Sequence, residues 1–238
     1  LVCGMSQAAN DWCDRHVDYI NEPNRPIPSG RMPGKWGLWI AILMTLVSMF
    51  IGFLMGTWCF IATLVAIIFA WLYSAEPFRL KRSGIIGPFT VGICYEGIPW
   101  FTGAAIISQS LPSNQSMLLA LVYGIGAYGI MVLNDFKAIK GDKETGIKSL
   151  PLLVGIKKSI IISCLTIIIS QILVSIFLIF WGLYEYSIIV FALILIQFFA
   201  MFKLYKNPSK NAPWYNKTGV LAFILGMMIS AISIGVLT

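Results

Sequence analysis

Charge is what this 238-residue chain has least of: Asp, Glu, Lys and Arg together make up 11% of it. A soluble domain carries roughly a quarter, so an ordinary water-dissolved fold is excluded. Disorder is excluded from the other side, because 58% of the residues are hydrophobic and the mean hydropathy is +0.83, whereas disordered chains are poor in apolar residues. Histidine is scarcer still, with His16 alone, which leaves no set of partners for a catalytic triad; a partly solvated neighbour of Asp14 and Asp18 is the simpler reading. The five cysteines, Cys3, Cys13, Cys59, Cys94 and Cys164, are scattered with no C-x-x-C spacing, against a disulfide framework or a zinc site. Residues 1–5 lack the basic flank of a signal peptide. What remains is a protein solvated by lipid.

Long uncharged runs are abundant. Residues 36–75 are 40 in a row without a charge, about twice what one helix needs to cross a hydrocarbon core roughly 30 Å thick. Two spans are therefore expected there, reversing near residues 52–57. Residues 87–108 form another apolar run, broken only by Glu96, and 111–114 read as a turn. Residues 117–133, 159–184, 186–202 and 218–238 supply four more spans. With a shortened helix over residues 1–18, the expectation is eight: an all-α, polytopic transmembrane bundle forming a single domain over 1–238.

The distribution of positive charge tests that count. If the loops after spans one, three, five and seven face the cytoplasm, they hold four, three, six and four basic residues, which accounts for all 17 Lys and Arg. The other loops hold none. This is the positive-inside pattern, so the net charge of +7 records topology and gives no reason to expect a nucleic-acid partner.

The acids are concentrated in two places. Asn10, Asp11, Asp14 and Asp18 spell N-D-x-x-D-x-x-x-D and, at 100° per residue, lie within about 100° of arc on one helix face. Like charges at that spacing repel, and a shared divalent cation explains them better than a structural role. Oxygen-only ligands favour Mg²⁺, which completes its shell from substrate phosphate. Asn134, Asp135, Ala138 and Asp142 repeat the pattern with Ala at the middle acid, and Asp135 and Asp142 share a face if the helix persists through Gly141. Both motifs fall at cytoplasmic ends of spans. On the same side, Arg79, Lys81 and Arg82 offer donors suited to diphosphate oxygens, although positive-inside loop charge would look the same. Glu96 is the only acid in mid-span, and an unpaired carboxylate there is costly. Tyr95, Trp100 and Phe101 beside it offer apolar surface for a flat ligand.

The two acid motifs, together with Tyr73-Ser74-Ala75-Glu76-Pro77-Phe78-Arg79-Leu80-Lys81, resemble those of the UbiA superfamily of intramembrane prenyltransferases. Residues 10–34, NDWCDRHVDYINEPNRPIPSGRMPG, with Tyr95-Glu96-Gly97, residues 100–104, Asn134-Asp135-Phe136-Lys137 and residues 146–151, are similar to the (bacterio)chlorophyll synthase branch. The likeness covers essentially the whole chain. Glu76, where the family commonly has Pro, and Cys13, where it has an aromatic residue, depart from the pattern. Family members have nine helices with the first motif closing the second, so this chain is expected to lack helix one and the start of helix two.

The resemblance implies transfer of a C20 isoprenoid, geranylgeranyl or phytyl, from its diphosphate to the 17-propionate of bacteriochlorophyllide or chlorophyllide, with release of diphosphate. It implies Mg²⁺ on Asp11, Asp14, Asp18, Asp135 and Asp142, with Asn10 and Asn134 in the catalytic set. Arg15, Tyr73, Arg79, Lys81, Glu96, Tyr128 and Lys137 are the expected substrate contacts. The implied setting is a bacterial inner, photosynthetic membrane with the active site toward the cytoplasm. Prenylation of a quinone precursor is the alternative within the family. A cation-coupled transporter, whose acids would cluster near the midplane, is a more distant one.

Overall fold

The computed structural model describes residues 1–136 and 139–236. They are helical almost throughout: α1 (Val2–Asn21), α2 (Trp36–Leu54), α3 (Thr57–Ser74), α4 (Ile86–Gly92), α5 (Ile98–Ser108), α6 (Asn114–Asp135), α7 (Ile139–Thr145), α8 (Leu150–Val154), α9 (Ile156–Phe180), α10 (Tyr184–Lys206) and α11 (Pro208–Gly235). A single 3₁₀ turn, Leu80–Arg82, follows α3, and a π turn, Ile93–Gly97, joins α4 to α5.

Six helices among the described residues are long and apolar enough to cross a membrane: α2, α3, α6, α9, α10 and the Lys210–Gly235 part of α11. The other two expected spans fall short for different reasons. The helix over the first motif is continuous but carries Asp11, Asp14, Arg15 and Asp18, so its apolar part is brief. Residues 86–108 are helical from end to end, with the π turn between α4 and α5, neither of which alone has the length of a crossing.

The chain forms two compact units, residues 1–82 with 102–111, and residues 83–101 with 112–238. In the first, α1, α2 and α3 pack together around Met5, Ala9, Ala41 and Ile67. The expected reversal falls at Gly56, where φ is +109°, a region open to glycine and strained for side chains bearing a Cβ. Outward-facing Trp39, Leu43, Leu46, Phe50 and Phe53 on α2 are exposed, as lipid-solvated residues are.

In the second unit α6 is the central post, packed against α4, the π turn, α9 and α11. Its N-terminus is capped by Ser113, whose hydroxyl accepts from the Ser116 amide at 3.2 Å. Small residues set its distances to neighbours: a Cβ on Gly129 would lie 2.3 Å from the Ser163 carbonyl of α9. Such close backbone approach supplies the packing that lipid, being as apolar as leucine, does not drive. Tyr123 is fully buried, stacked on Trp100 at 5.6 Å and bonded through its hydroxyl to Ser230 at 2.8 Å.

The loop after α7 is fastened at both ends. The Ile147 amide donates to the Asp142 carbonyl at 2.9 Å, and the Gly84 amide donates to the Lys148 carbonyl at 2.8 Å. At Gly84 a Cβ would come within 2.4 Å of Leu150 N and the Lys148 carbonyl oxygen, so two stretches of backbone meet with no room for a side chain.

Candidate active site

The first acid motif lies on the last three turns of α1, and the spacing that put its acids on one face also brings them to cations from two later segments. Arg25, in the loop after α1, places one guanidinium nitrogen 2.9 Å from Asp11 Oδ1 and 3.2 Å from Asp18 Oδ2. Asp14 Oδ1 meets Arg79 Nη2 at 2.7 Å, and its other oxygen accepts from Lys81 Nζ. Asp14 and Arg79 are each 16% exposed and Lys81 is 8% exposed. These are charges largely removed from water, where pairing decides whether they are tolerated.

Asn10 completes the group. With its amide oriented to satisfy its neighbours, the nitrogen donates to Asp14 Oδ2 at 3.2 Å and the oxygen accepts from Lys81 Nζ at 3.2 Å. Ser74, buried at the end of α3, lies 3.3 Å from that amide. Arg79 has φ of +38°, an uncommon conformation for a residue with a side chain; its Nε is buried with no hydrogen-bond partner. Burial pulls the Lys81 ammonium below the usual lysine range, while the Asp14 charge and hydrogen bond hold it up.

The acid stripe is therefore not a set of unopposed like charges. Each of the three carboxylates has a cation, which offsets the repulsion anticipated from spacing alone. Arg25 was not among the sequence candidates; its signal was only an arginine seven residues past Asp18. Glu76, which departs from the family pattern, pairs with Arg82 at 2.7 Å and Arg79 at 3.3 Å. Arg15 turns back on its own helix, over the Trp12 ring at 4.1 Å and onto the Trp12 carbonyl at 2.8 Å. His16 is exposed, and Tyr73 is half-buried in the last turn of α3.

In the second unit, Asn134 and Asp135 end α6, and Asp142 sits in the separate helix α7. The described part of α6 reaches Asp135 and Gly141 lies inside α7; the two-turn continuity expected between Asp135 and Asp142 runs through Lys137 and Ala138, which lie outside the described residues. Asn216 of α11, absent from the sequence candidates, donates to Asn134 Oδ1 at 3.3 Å and keeps its own buried Oδ1 without a partner. Asp135 makes no ion pair among the described residues. Burial pushes the Asp142 carboxyl up from the usual range, opposed by the Ser149 hydroxyl. Tyr128 is half-buried on α6, two turns before Asp135.

The donor set suits a hard divalent cation. Asp11 and Asp18 already converge on one positive centre, the Arg25 nitrogen, and all available ligands are oxygens. Among the described residues no three acid, histidine or cysteine side chains close on a single point. Mg²⁺ commonly takes only one or two carboxylates and completes its shell with water and phosphate, so the chain fits an ion shared with a diphosphate.

An all-helical membrane fold with paired acid motifs and buried cations beside one of them defines the class. Residues 1–234 match the UbiA prenyltransferase family, and the chain belongs to it. Over 234 residues it is 53% identical to the bacteriochlorophyll synthase 33 kDa chain of Cereibacter sphaeroides, covering 98% of this chain and 78% of that one. The corresponding protein of Rhodobacter capsulatus is 51% identical over 237 residues, covering 98% of this chain and 78% of that one. A chloroplastic chlorophyll synthase of Avena sativa is 32% identical over 98% of this chain and 63% of its own. Among solved structures, a UbiA homolog from Archaeoglobus fulgidus bound to GPP and Mg²⁺ shares the fold with a TM-score of 0.73 at 18% identity, over 95% of this chain and 83% of that one.

Proposed function

We propose that this protein is an intramembrane prenyltransferase that esterifies the propionate carboxylate of a (bacterio)chlorophyllide with a C20 isoprenoid from its diphosphate. The observation that carries the acceptor is the 53% identity, over 98% of the chain, to a bacteriochlorophyll synthase. The diphosphate is supported by the buried Asp14, Arg79 and Lys81 group, a combination of acid and fork-like cation that serves phosphate better than any neutral ligand.

Arg79 and Lys81 both pair with Asp14. Diphosphate oxygens would take over those two cations, and the Asp14 carboxylate so released, with Asp11 and Asp18, would help to hold Mg²⁺; Asp135 and Asp142 would offer oxygen ligands in the second motif. Bound there, Mg²⁺ would neutralise charge on the departing diphosphate and ease C–O cleavage. Arg79 and Lys81 act in the same direction, because charge that develops on the leaving group is met by donors already in place. Asn10 positions Asp14 and Lys81 relative to each other. The acceptor needs no base, since a propionate is ionised at neutral pH.

If the chain crosses the membrane as the uncharged runs suggest, the positive-inside rule would put its lysines and arginines, and with them both acid motifs, on the cytoplasmic side. A bacterial inner membrane is the setting that this distribution and the bacterial relatives support. The test is incubation of membranes containing the protein with Mg²⁺, geranylgeranyl diphosphate and either bacteriochlorophyllide or a quinone precursor. Esterified pigment is the expected product; prenylated quinone precursor in its place would overturn the acceptor.

A further inference from the structure

Glu96 is set apart from every other acid in the chain. It sits in the π turn Ile93–Gly97, half-exposed, and its carboxyl group makes no hydrogen bond or ion pair among the described residues. No lysine or arginine occurs between Arg82 and Lys137, so the neighbouring sequence offers no counter-charge. A charged group kept in an apolar stretch is costly and is retained for a cavity or a partner. The π turn adds to that cost in poorer helix geometry, and such turns are frequent at functional sites.

The turn's depth is fixed by close packing on α6. A Cβ on Gly97 would lie 3.2 Å from the Ala120 carbonyl, and one on Gly92 would lie 2.8 Å from the Gly124 carbonyl. Glu96 is thus level with residues 120–124, and Asp135 is eleven residues past Gly124, about 16 Å along the helix at 1.5 Å per residue. That separation is on the scale of a tetrapyrrole's radius plus a diphosphate: an acceptor reacting near Asp135 would have its centre near Glu96. Trp100, which sequence alone offered as a surface for the ring, is committed to Tyr123 and to the Ser116 hydroxyl at 3.1 Å.

A chlorophyllide carries Mg²⁺ held by four ring nitrogens, with an axial position open to a further donor. Magnesium prefers oxygen, and the chain's single histidine, His16, belongs to the first motif. We propose that Glu96, displayed on the π turn, is the axial ligand to the magnesium at the centre of the tetrapyrrole acceptor. This rests on the acceptor assigned above. It gives the site a way to choose a metallated pigment over the same pigment without its metal, using a group remote from the reacting carboxylate.

The test compares wild-type protein with Glu96→Leu and Glu96→His, titrated with bacteriochlorophyllide and with its magnesium-free counterpart while the visible absorption bands are followed. Glu96→Leu should weaken binding of the magnesium pigment about 10- to 100-fold, as losses at metal-supporting residues do, and abolish the band shift that marks a protein ligand. Its affinity for the metal-free pigment and for geranylgeranyl diphosphate should stay within about twofold of wild type, a change too small to be a ligand's contribution. Glu96→His should restore both the shift and the preference, since imidazole also ligates. Equal weakening for both pigments, no weakening for either, an unshifted band in the wild type, or loss of all binding in both variants would overturn the assignment. Failure of wild-type protein to esterify bacteriochlorophyllide at all would instead overturn the acceptor reading.

Discussion

The two acid motifs have nearly the same letters and opposite electrostatics. The three acids of the first motif are matched by Arg25, Arg79 and Lys81; Asp135 ends its helix without an ion pair among the described residues. One motif is matched charge for charge, and in the other Asp135 has no paired cation among the described residues. An acid in the first should support folding as well as turnover, whereas an acid in the second should serve turnover alone.

Chelation is the largest lever on that contrast. Removing divalent metal with EDTA should abolish esterification, and added Mg²⁺ should restore it, while the thermal midpoint of the substrate-free protein stays where it was because Arg25, Arg79 and Lys81 already satisfy the first motif. A midpoint that falls on chelation would mean the first motif holds metal before substrate.

Next come the paired substitutions. Asp14→Ala and Asp135→Ala should each lower turnover by about 10²- to 10³-fold or more, the usual cost of one charge-stabilising group. They should differ in a thermal-shift assay. Asp14→Ala strands the buried Lys81 and leaves Arg79 only its longer contact to Glu76, a loss of about 3–5 kcal/mol, and Asp135→Ala strands no cation among the described residues. Equal destabilisation by the two would erase the distinction.

A smaller effect is expected from pH. Because Lys81 is pulled below the usual lysine range by burial, its positive charge disappears earlier as pH rises, so turnover should decline on the alkaline side before an ordinary lysine would titrate. Lys81→Arg, whose guanidinium keeps its charge, should push that decline to higher pH. The unfolded chain holds the Lys81 proton longer than the folded one, so in the same window this residue makes stability rise with pH. A profile identical in wild type and Lys81→Arg would remove Lys81 from the charge balance.

The smallest change is Arg25→Gln. Arg25 is 40% exposed while its partner Asp18 is 9% exposed, so water takes over only part of its role; stability should fall by less than in Asp14→Ala while the KM for prenyl diphosphate shifts a few-fold. A stability loss as large as that of Asp14→Ala would show that Arg25 is part of the buried balance.

Most of the helical architecture and the acid stripe were legible because they depend on local period. Six apolar runs became six membrane-length helices, and one face of α1 presents Asn10, Asp11, Asp14 and Asp18. What the letters did not disclose depends on pairing at a distance. Arg79 and Lys81 reach Asp14 across 65 and 67 residues, and Asn216 reaches Asn134 across 82; no periodicity encodes such partners. The repulsion argument failed for that reason, since it counted charges on one helix and omitted the cations arriving from elsewhere. The π turn was hidden as well, because Gly92, Gly97 and Gly124 look unexceptional until α4 and α6 are seen with their backbones in contact.

The backbone clasp between Gly84 and Lys148 constrains how this protein can vary. The Asp142 carbonyl closes a turn on the Ile147 amide and, one residue on, the Lys148 carbonyl is tied to the Gly84 amide, so the path from Asp142 to the clasp is short and internally bonded. An insertion there has no slack to absorb it and must either open the clasp or displace Asp142. Sequence drift can change residues on the exposed side of this loop, at Lys143 and Glu144, but not Gly146, whose φ of +72° favours glycine, nor their number. The loop behaves as a ruler whose length, more than its composition, carries the memory of where the last acid has to stand.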